Sequence, residues 1–136
     1  MDTGHWKVYE TVPEGAYGFI YEITNLVNNK KYIGRKQMVK KIKRKPLKGK
    51  KRKRIDYIES DWKTYTGSSD KLNVDIDTNG KHKFKFEIIK FCKNKYELGY
   101  YETKMQFDKG VLLSEDYYNG IINCRIGKPP KDFMEP

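Results

Sequence analysis

GFIYEITNLVNNKKYIG, residues 18–34, decides the fold. Residues 17–24 are rich in aromatic and β-branched side chains, and Lys31-Tyr32-Ile33-Gly34 begins a second extended segment. Between them Asn28-Asn29 tolerates the positive φ that a tight turn requires, so the stretch predicts a β-hairpin with a phenol on each arm. A two-residue turn would pair Asn25 with Tyr32 and set Tyr21 and Tyr32 on one face, roughly 13 Å apart at strand rise. A wider loop over residues 24–30 keeps the shared face and brings the phenols together. Both registers are open at this level.

The hairpin runs directly into charge. Residues 30–54 contain 15 of the 29 Lys/Arg residues and no Asp or Glu, while the rest of the chain holds 14 basic against 18 acidic residues. The net charge of +11 is therefore one cationic patch on a mildly acidic body. Such a patch favours a polyanion, with binding that weakens steeply in salt through counterion release. A membrane surface is disfavoured, because residues 36–54 lack amphipathic apolar periodicity. With 136 residues the chain suits one domain, and its 11 tyrosines and 6 phenylalanines carry burial that the low mean hydropathy of −0.91 would otherwise deny. Cys92 and Cys124 belong to no metal-ligand spacing and are expected to be reduced core residues. Asp2, His5 and Lys7 stand where the apolar part of a leader would be, so an intracellular, cytoplasmic protein is expected.

Further along, Ser68 or Ser69 caps a helix that runs to about Asn79 and stops at Gly80, with Leu72, Asp75 and Ile76 as its stripe. Residues 84–92 alternate as a third strand. Asn94, with Glu97 three residues on, opens the clearest helix, which continues to Gly110. On that helix Leu98, Tyr101 and Met105 form an inward stripe, and Glu102 shares their face. A carboxylate aimed at a core is costly unless a cation or a metal pairs with it, so Glu102 is read either as a side chain salt-bridged to a lysine or snorkelling at an edge, or as the ligand of a divalent ion. Residues 39–56 are too charged for core, and Pro46 to Gly49 marks a turn in a protruding hairpin or loop.

The order of these motifs resembles the GIY-YIG nuclease superfamily: Gly18-Phe19-Ile20-Tyr21, then Tyr32-Ile33-Gly34, a glutamate in a late helix (Glu102) and an asparagine shortly after it (Asn119). The likeness spans residues 17–120, and GSSDKLNVDIDTNGKHKFKFEII at 67–89 is similar to the middle of phage-type GIY-YIG homing endonucleases. The first motif departs from Gly-Ile-Tyr in having Phe19 before Ile20. The resemblance implies a compact α/β (α+β) domain with a central three-stranded antiparallel sheet flanked by helices; in this chain the charge run makes a basic insertion at about 36–56, and the Pro-rich tail at 128–136 is expected to be flexible. It also implies hydrolysis of a DNA phosphodiester with one Mg2+ or Mn2+ ion. Tyr21 and Tyr32 would then lie at the catalytic surface, Glu102 would bind the metal, and Asn119 would support the site.

The family also implies an arginine about ten residues beyond the second tyrosine, followed by a histidine. Position 42 is Ile here, and no histidine is near. Counting back from Gly67-Ser68-Ser69 favours Arg54 for the catalytic role, with Arg44 and Arg35 as alternatives. Arg35, Lys36, Lys43, Arg44, Lys50, Lys51, Arg52 and Lys53 are expected to contact the phosphates of double-stranded DNA. Lys/Arg contacts to phosphate position a chain without reading bases, so specificity is expected to be low or to require a homodimer or higher oligomer. The competing expectation is a non-catalytic nucleic-acid-binding module of the same fold, in which Tyr57, Trp62 and Tyr65 stack on single strands instead of covering the hairpin from the sheet edge. A third is a protein-interaction module whose basic arm meets an acidic partner.

Overall fold

A computed structural model describes residues 1–123, 125–131 and 133. In chain order the elements are β1 (Gly18–Asn25), β2 (Lys31–Gln37), β3 (Val39–Arg44), β4 (Arg54–Glu59), α1 (Asp70–Asn79), β5 (Phe84–Cys92) and α2 (Lys95–Asp108). The central sheet is antiparallel with order β2-β1-β5, as the family likeness implied. A separate two-stranded sheet pairs β3 with β4.

The first hairpin takes the wider loop. Thr24 pairs with Lys31, Ile23 with Tyr32 and Tyr21 with Gly34. The Asn25 N–H donates to the Lys30 carbonyl at 2.8 Å, and Asn29, at φ 61°, donates to the Asn25 carbonyl at 2.7 Å. Asn25 also accepts the Val27 N–H on its own side-chain oxygen at 2.9 Å, an Asx turn that fixes the corner. In this register the two phenols become diagonal neighbours on one face.

Strand β1 is buried along its length except at half-buried Glu22. One face presents Phe19, Tyr21 and Ile23 to Leu72 and Ile76 of α1 and to Trp6 and Trp62; the other presents Ile20, with Ile33 and Cys92, to Leu98 of α2 and Val111. Trp6 lies outside the 17–120 core expected from sequence, yet it is only 3% exposed. The N-terminal segment reaches the core because Lys7 exchanges backbone hydrogen bonds with Phe86 and Ile88 along the free edge of β5. At the opposite edge, Lys31 of β2 receives Asp116 and Tyr118 in the same way. Each edge of the sheet is thus bridged by another segment at one position.

The helix caps follow the sequence. Ser69 accepts from the Leu72 N–H at 3.3 Å, and Gly80 closes α1. Asn94 accepts from the Glu97 N–H at 2.8 Å, while Glu97 reaches back to Lys93 rather than to the cap residue itself. Gly110, in the left-handed region, follows the end of α2.

The basic insertion is an arm. Its ladder runs from Val39–Glu59 at the base to Arg44–Arg54 at the outer end, and every residue of β4 is exposed. The tip turns at Gly49, φ 81°, where the Lys50 N–H donates to the Leu47 carbonyl at 2.8 Å. The tail, expected to be flexible, lies against α2 in its described part: Tyr96 donates its hydroxyl to the Gly127 carbonyl at 2.8 Å, and Phe133 packs edge-on to Tyr96 and Tyr100. Cys92 is buried as expected, and burial pushes its thiol up to about 12. Cys124 lies outside the described residues. Among the described residues no helix is long and apolar enough to cross a membrane.

Candidate active site

The phenols of Tyr21 and Tyr32 stand 6.1 Å apart, ring centre to ring centre. Gly34 is the reason they fit. A Cβ at Gly34, directly across from Tyr21, would fall 2.4 Å from the Tyr21 hydroxyl and 3.0 Å from the Tyr32 ring. Gly67, at φ 88°, forms the facing wall, where a Cβ would sit 3.3 Å from the same hydroxyl. The glycine of Tyr32-Ile33-Gly34 is therefore the space occupied by the Tyr21 phenol.

A third ring completes the cluster. Tyr65 meets Tyr21 edge-on at 6.1 Å, and Lys36 lies 4.2 Å over its face. Sequence reasoning read Tyr65 either as a stacking platform or as a cover over the hairpin, and its packing on Tyr21 of β1 agrees with the second. Tyr32, half-buried, shares a 2.9 Å hydrogen bond with the Ser68 hydroxyl. Burial raises the pKa of Tyr32 and, more strongly, that of Tyr21, which is 1% exposed. Both phenols thus keep their protons at neutral pH.

Strand alternation sends Tyr32 and Gly34 to the α1 face of the sheet and Ile33 and Arg35 to the α2 face. There the Arg35 Nε lies 3.6 Å from a carboxylate oxygen of Glu102, an ion pair longer than a hydrogen bond. Gly99, one turn before Glu102, admits the guanidinium, as a Cβ there would come within 3.1 Å of it. The Glu102 side chain is 15% exposed. Burial raises its pKa, and Arg35 pulls it back down. The carboxylate in turn acts electrostatically on both Tyr21 and Tyr32. The edge strand β2 thus carries Tyr32 on one face and Arg35, facing Glu102, on the other.

A partly desolvated carboxylate, offset by one guanidinium beyond hydrogen-bond length, has oxygen lone pairs to offer a hard divalent cation. Among the described residues no group of three or more His, Cys, Asp or Glu forms a cage. The donor set fits an ion such as Mg2+, which retains several waters and borrows substrate oxygens.

The remaining sequence candidates are dispersed. Arg54 does not join Glu102: it sits at the outer end of the arm opposite Arg44, with its Nε donating to the Lys45 carbonyl at 3.3 Å. Counting back from Gly67 fails because the insertion is an independent ladder that carries Arg54 away; the arginine at the carboxylate is Arg35. Lys36 belongs to β2 rather than to the insertion, and its ammonium is held 2.6 Å from Asp61. Lys43 and Arg44 are on β3, with Arg44 paired to Asp56, while Lys50, Lys51, Arg52 and Lys53 are exposed at the tip. Trp62 is 2% exposed and is core, not a stacking platform.

Asn119 is buried and clasps the backbone of Ile33. Its oxygen accepts the Ile33 N–H at 3.1 Å and its amide donates to the Ile33 carbonyl at 2.8 Å, with Gln106 donating to that same carbonyl at 3.0 Å. It touches β2 midway between Tyr32 and Gly34 and so holds the strand on which the site is built.

A family model described as "Putative endonuclease segE, GIY-YIG domain" matches residues 3–122. Comparison with curated proteins and with solved structures returned no match.

Proposed function

The chain belongs to this GIY-YIG endonuclease-domain family, and from that premise we propose that it is a metal-dependent endonuclease that hydrolyses phosphodiester bonds of double-stranded DNA. The observation that carries the reading is the Arg35–Glu102 pair at the edge strand, β2, which also carries Tyr32. Glu102 would hold one Mg2+ or Mn2+ ion, which when bound supplies positive charge to a phosphoryl oxygen and the leaving 3′-oxygen.

The chain's own groups divide the remaining work. Arg35 balances Glu102 in the free protein, and its half-exposed guanidinium offers charge-assisted hydrogen bonds to the scissile phosphate. Tyr32, protonated and beside Ser68, donates to a phosphate oxygen or orients the attacking water. Tyr21 is too buried to meet substrate and acts as a positioning residue, filling the space left by Gly34 and Gly67 and fixing the rings of Tyr32 and Tyr65. The arm supplies phosphate contacts through its exposed lysines and arginines. The likeness of residues 67–89 to phage-type homing enzymes supports a phage-borne protein acting in the host cytoplasm.

Nicking of supercoiled plasmid tests this. The full chain is expected to cut in millimolar Mg2+ and not in EDTA, and Glu102→Ala to abolish cutting while duplex binding in EDTA is retained. A Glu102→Ala protein that cuts at the wild-type rate overturns the assignment.

A further inference from the structure

A cleft of about 830 Å³ opens beside Arg35, between α2 and residues that follow 122. Its size matches sites that enclose nucleotide-sized ligands. Arg35, Lys95, Arg125 and Lys128 line it, and among the described lining residues there is no Asp or Glu. Two features keep it open. Gly99 lines its floor, where a side chain would press on Arg35. The outer wall is fastened by the Tyr96–Gly127 hydrogen bond and by Phe133 against the Tyr96 and Tyr100 rings. The wall residues Asn123 and 125–130 lie beyond the family match, which ends at 122.

We propose that this cleft is a second phosphate track, separate from the arm, which seats the phosphodiester backbone of duplex DNA next to the scissile phosphate. The inference rests on the nuclease reading for its ligand. Its own ground is the geometry: four cations ring one concavity, and one of them, Arg35, also faces the carboxylate. A strand lying along Lys95, Arg125 and Lys128 is delivered to Arg35 and hence to Glu102. The arm begins at Val39, after β2, and none of its residues lines the cleft, so the two cationic surfaces share no side chain.

The test measures binding of a short fluorescein-labelled DNA duplex to the full chain in EDTA, by anisotropy across a salt series. Each phosphate contact contributes about 0.9 to the slope of log K against log salt. The triple variant Lys95→Gln, Arg125→Gln, Lys128→Gln is expected to lower the slope by about 2 to 3. An equal loss of charge elsewhere, at exposed Lys71, Lys83 and Lys109, is expected to leave it nearly unchanged. The charge-preserving set Lys95→Arg, Arg125→Lys, Lys128→Arg is expected to keep the wild-type slope, which separates charge from packing. Equal slopes for the cleft and control variants overturn the proposal, as does a wild-type chain that fails to bind duplex. Because no metal is present, a chain that binds in this way but never cuts sustains the inference and defeats the nuclease reading. A chain that cuts while the cleft variant keeps its slope does the reverse.

Discussion

Two hairpins follow one another in this chain and have almost nothing in common except their backbone. The first, β1–β2, pairs seven residues with seven and the second, β3–β4, pairs six with six. Main-chain hydrogen bonding therefore does not separate them. Burial does: the first hairpin contributes Phe19, Ile20, Tyr21, Ile23 and Ile33 to the core, whereas no residue of β3 or β4 is buried. A ladder alone fixes a path for the chain. Only packing on both faces fixes side chains closely enough for chemistry, so the first hairpin carries the site and the second carries charge.

The strongest challenge to this division removes the carboxylate that the first hairpin faces. Glu102→Ala is expected to lower plasmid nicking by about a thousandfold, the several kcal/mol that metal-borne charge contributes to a transition state; a loss under tenfold would place the chemistry elsewhere. Next comes packing. Gly34→Ala puts a methyl into the Tyr21 hydroxyl and is expected to cost about 1–3 kcal/mol, as overpacked cores do. Denaturant melts read this directly, and an unchanged midpoint would show that the phenol has room to move. No such cost is expected in the second hairpin. Replacing residues 41–57 by a short Gly-Ser link should leave the melting midpoint nearly unchanged and flatten the salt dependence of duplex binding. Substantial unfolding of that variant would mean the arm is part of the core after all.

The smallest expected effect concerns protonation. Burial holds the Glu102 pKa above its ordinary value in the folded chain. A carboxyl raised in this way favours folding fully below its unfolded pKa, and that advantage is lost as pH rises through the folded pKa. Glu102→Gln is therefore expected to melt slightly higher than wild type at pH 7 without metal, with the difference vanishing in acid. Millimolar Mg2+ should raise the midpoint of the wild type and not of the variant. A wild type that is the more stable of the two at pH 7 in EDTA would show that Arg35 more than offsets the burial.

Much of the first hairpin could be inferred from residue type. The apolar-aromatic arms, the Asn-rich corner, the caps at Ser69 and Asn94 and the bounds of β5 each have a local cause, and each matches the structure. The inward placement of Glu102 follows from helical spacing, and Asn119 from its place in the motif order. What escaped was set by distant contacts. Arg35 was kept only as an alternative to Arg54 and as a phosphate contact, because the count from Gly67 ignored the arm, while alternation along β2 sends Arg35 to Glu102 and Lys36 to Asp61. Trp6 was missed because a strand-edge contact with β5 draws it inward from an otherwise featureless segment. Tyr65 was left between two readings because its role depends on where the chain returns after the arm.

The clasp of Asn119 on Ile33 spans 86 positions of chain. On the ribosome the two phenols emerge long before the residue that closes the strand bearing them, and until it arrives the outward N–H and C=O of Ile33 face water. A shortened product ending before residue 119 would carry both tyrosines and Glu102 yet expose an open strand edge, prone to pair with a neighbour. Closure of this strand edge is thereby tied to the arrival of residue 119 and rests on one amide side chain.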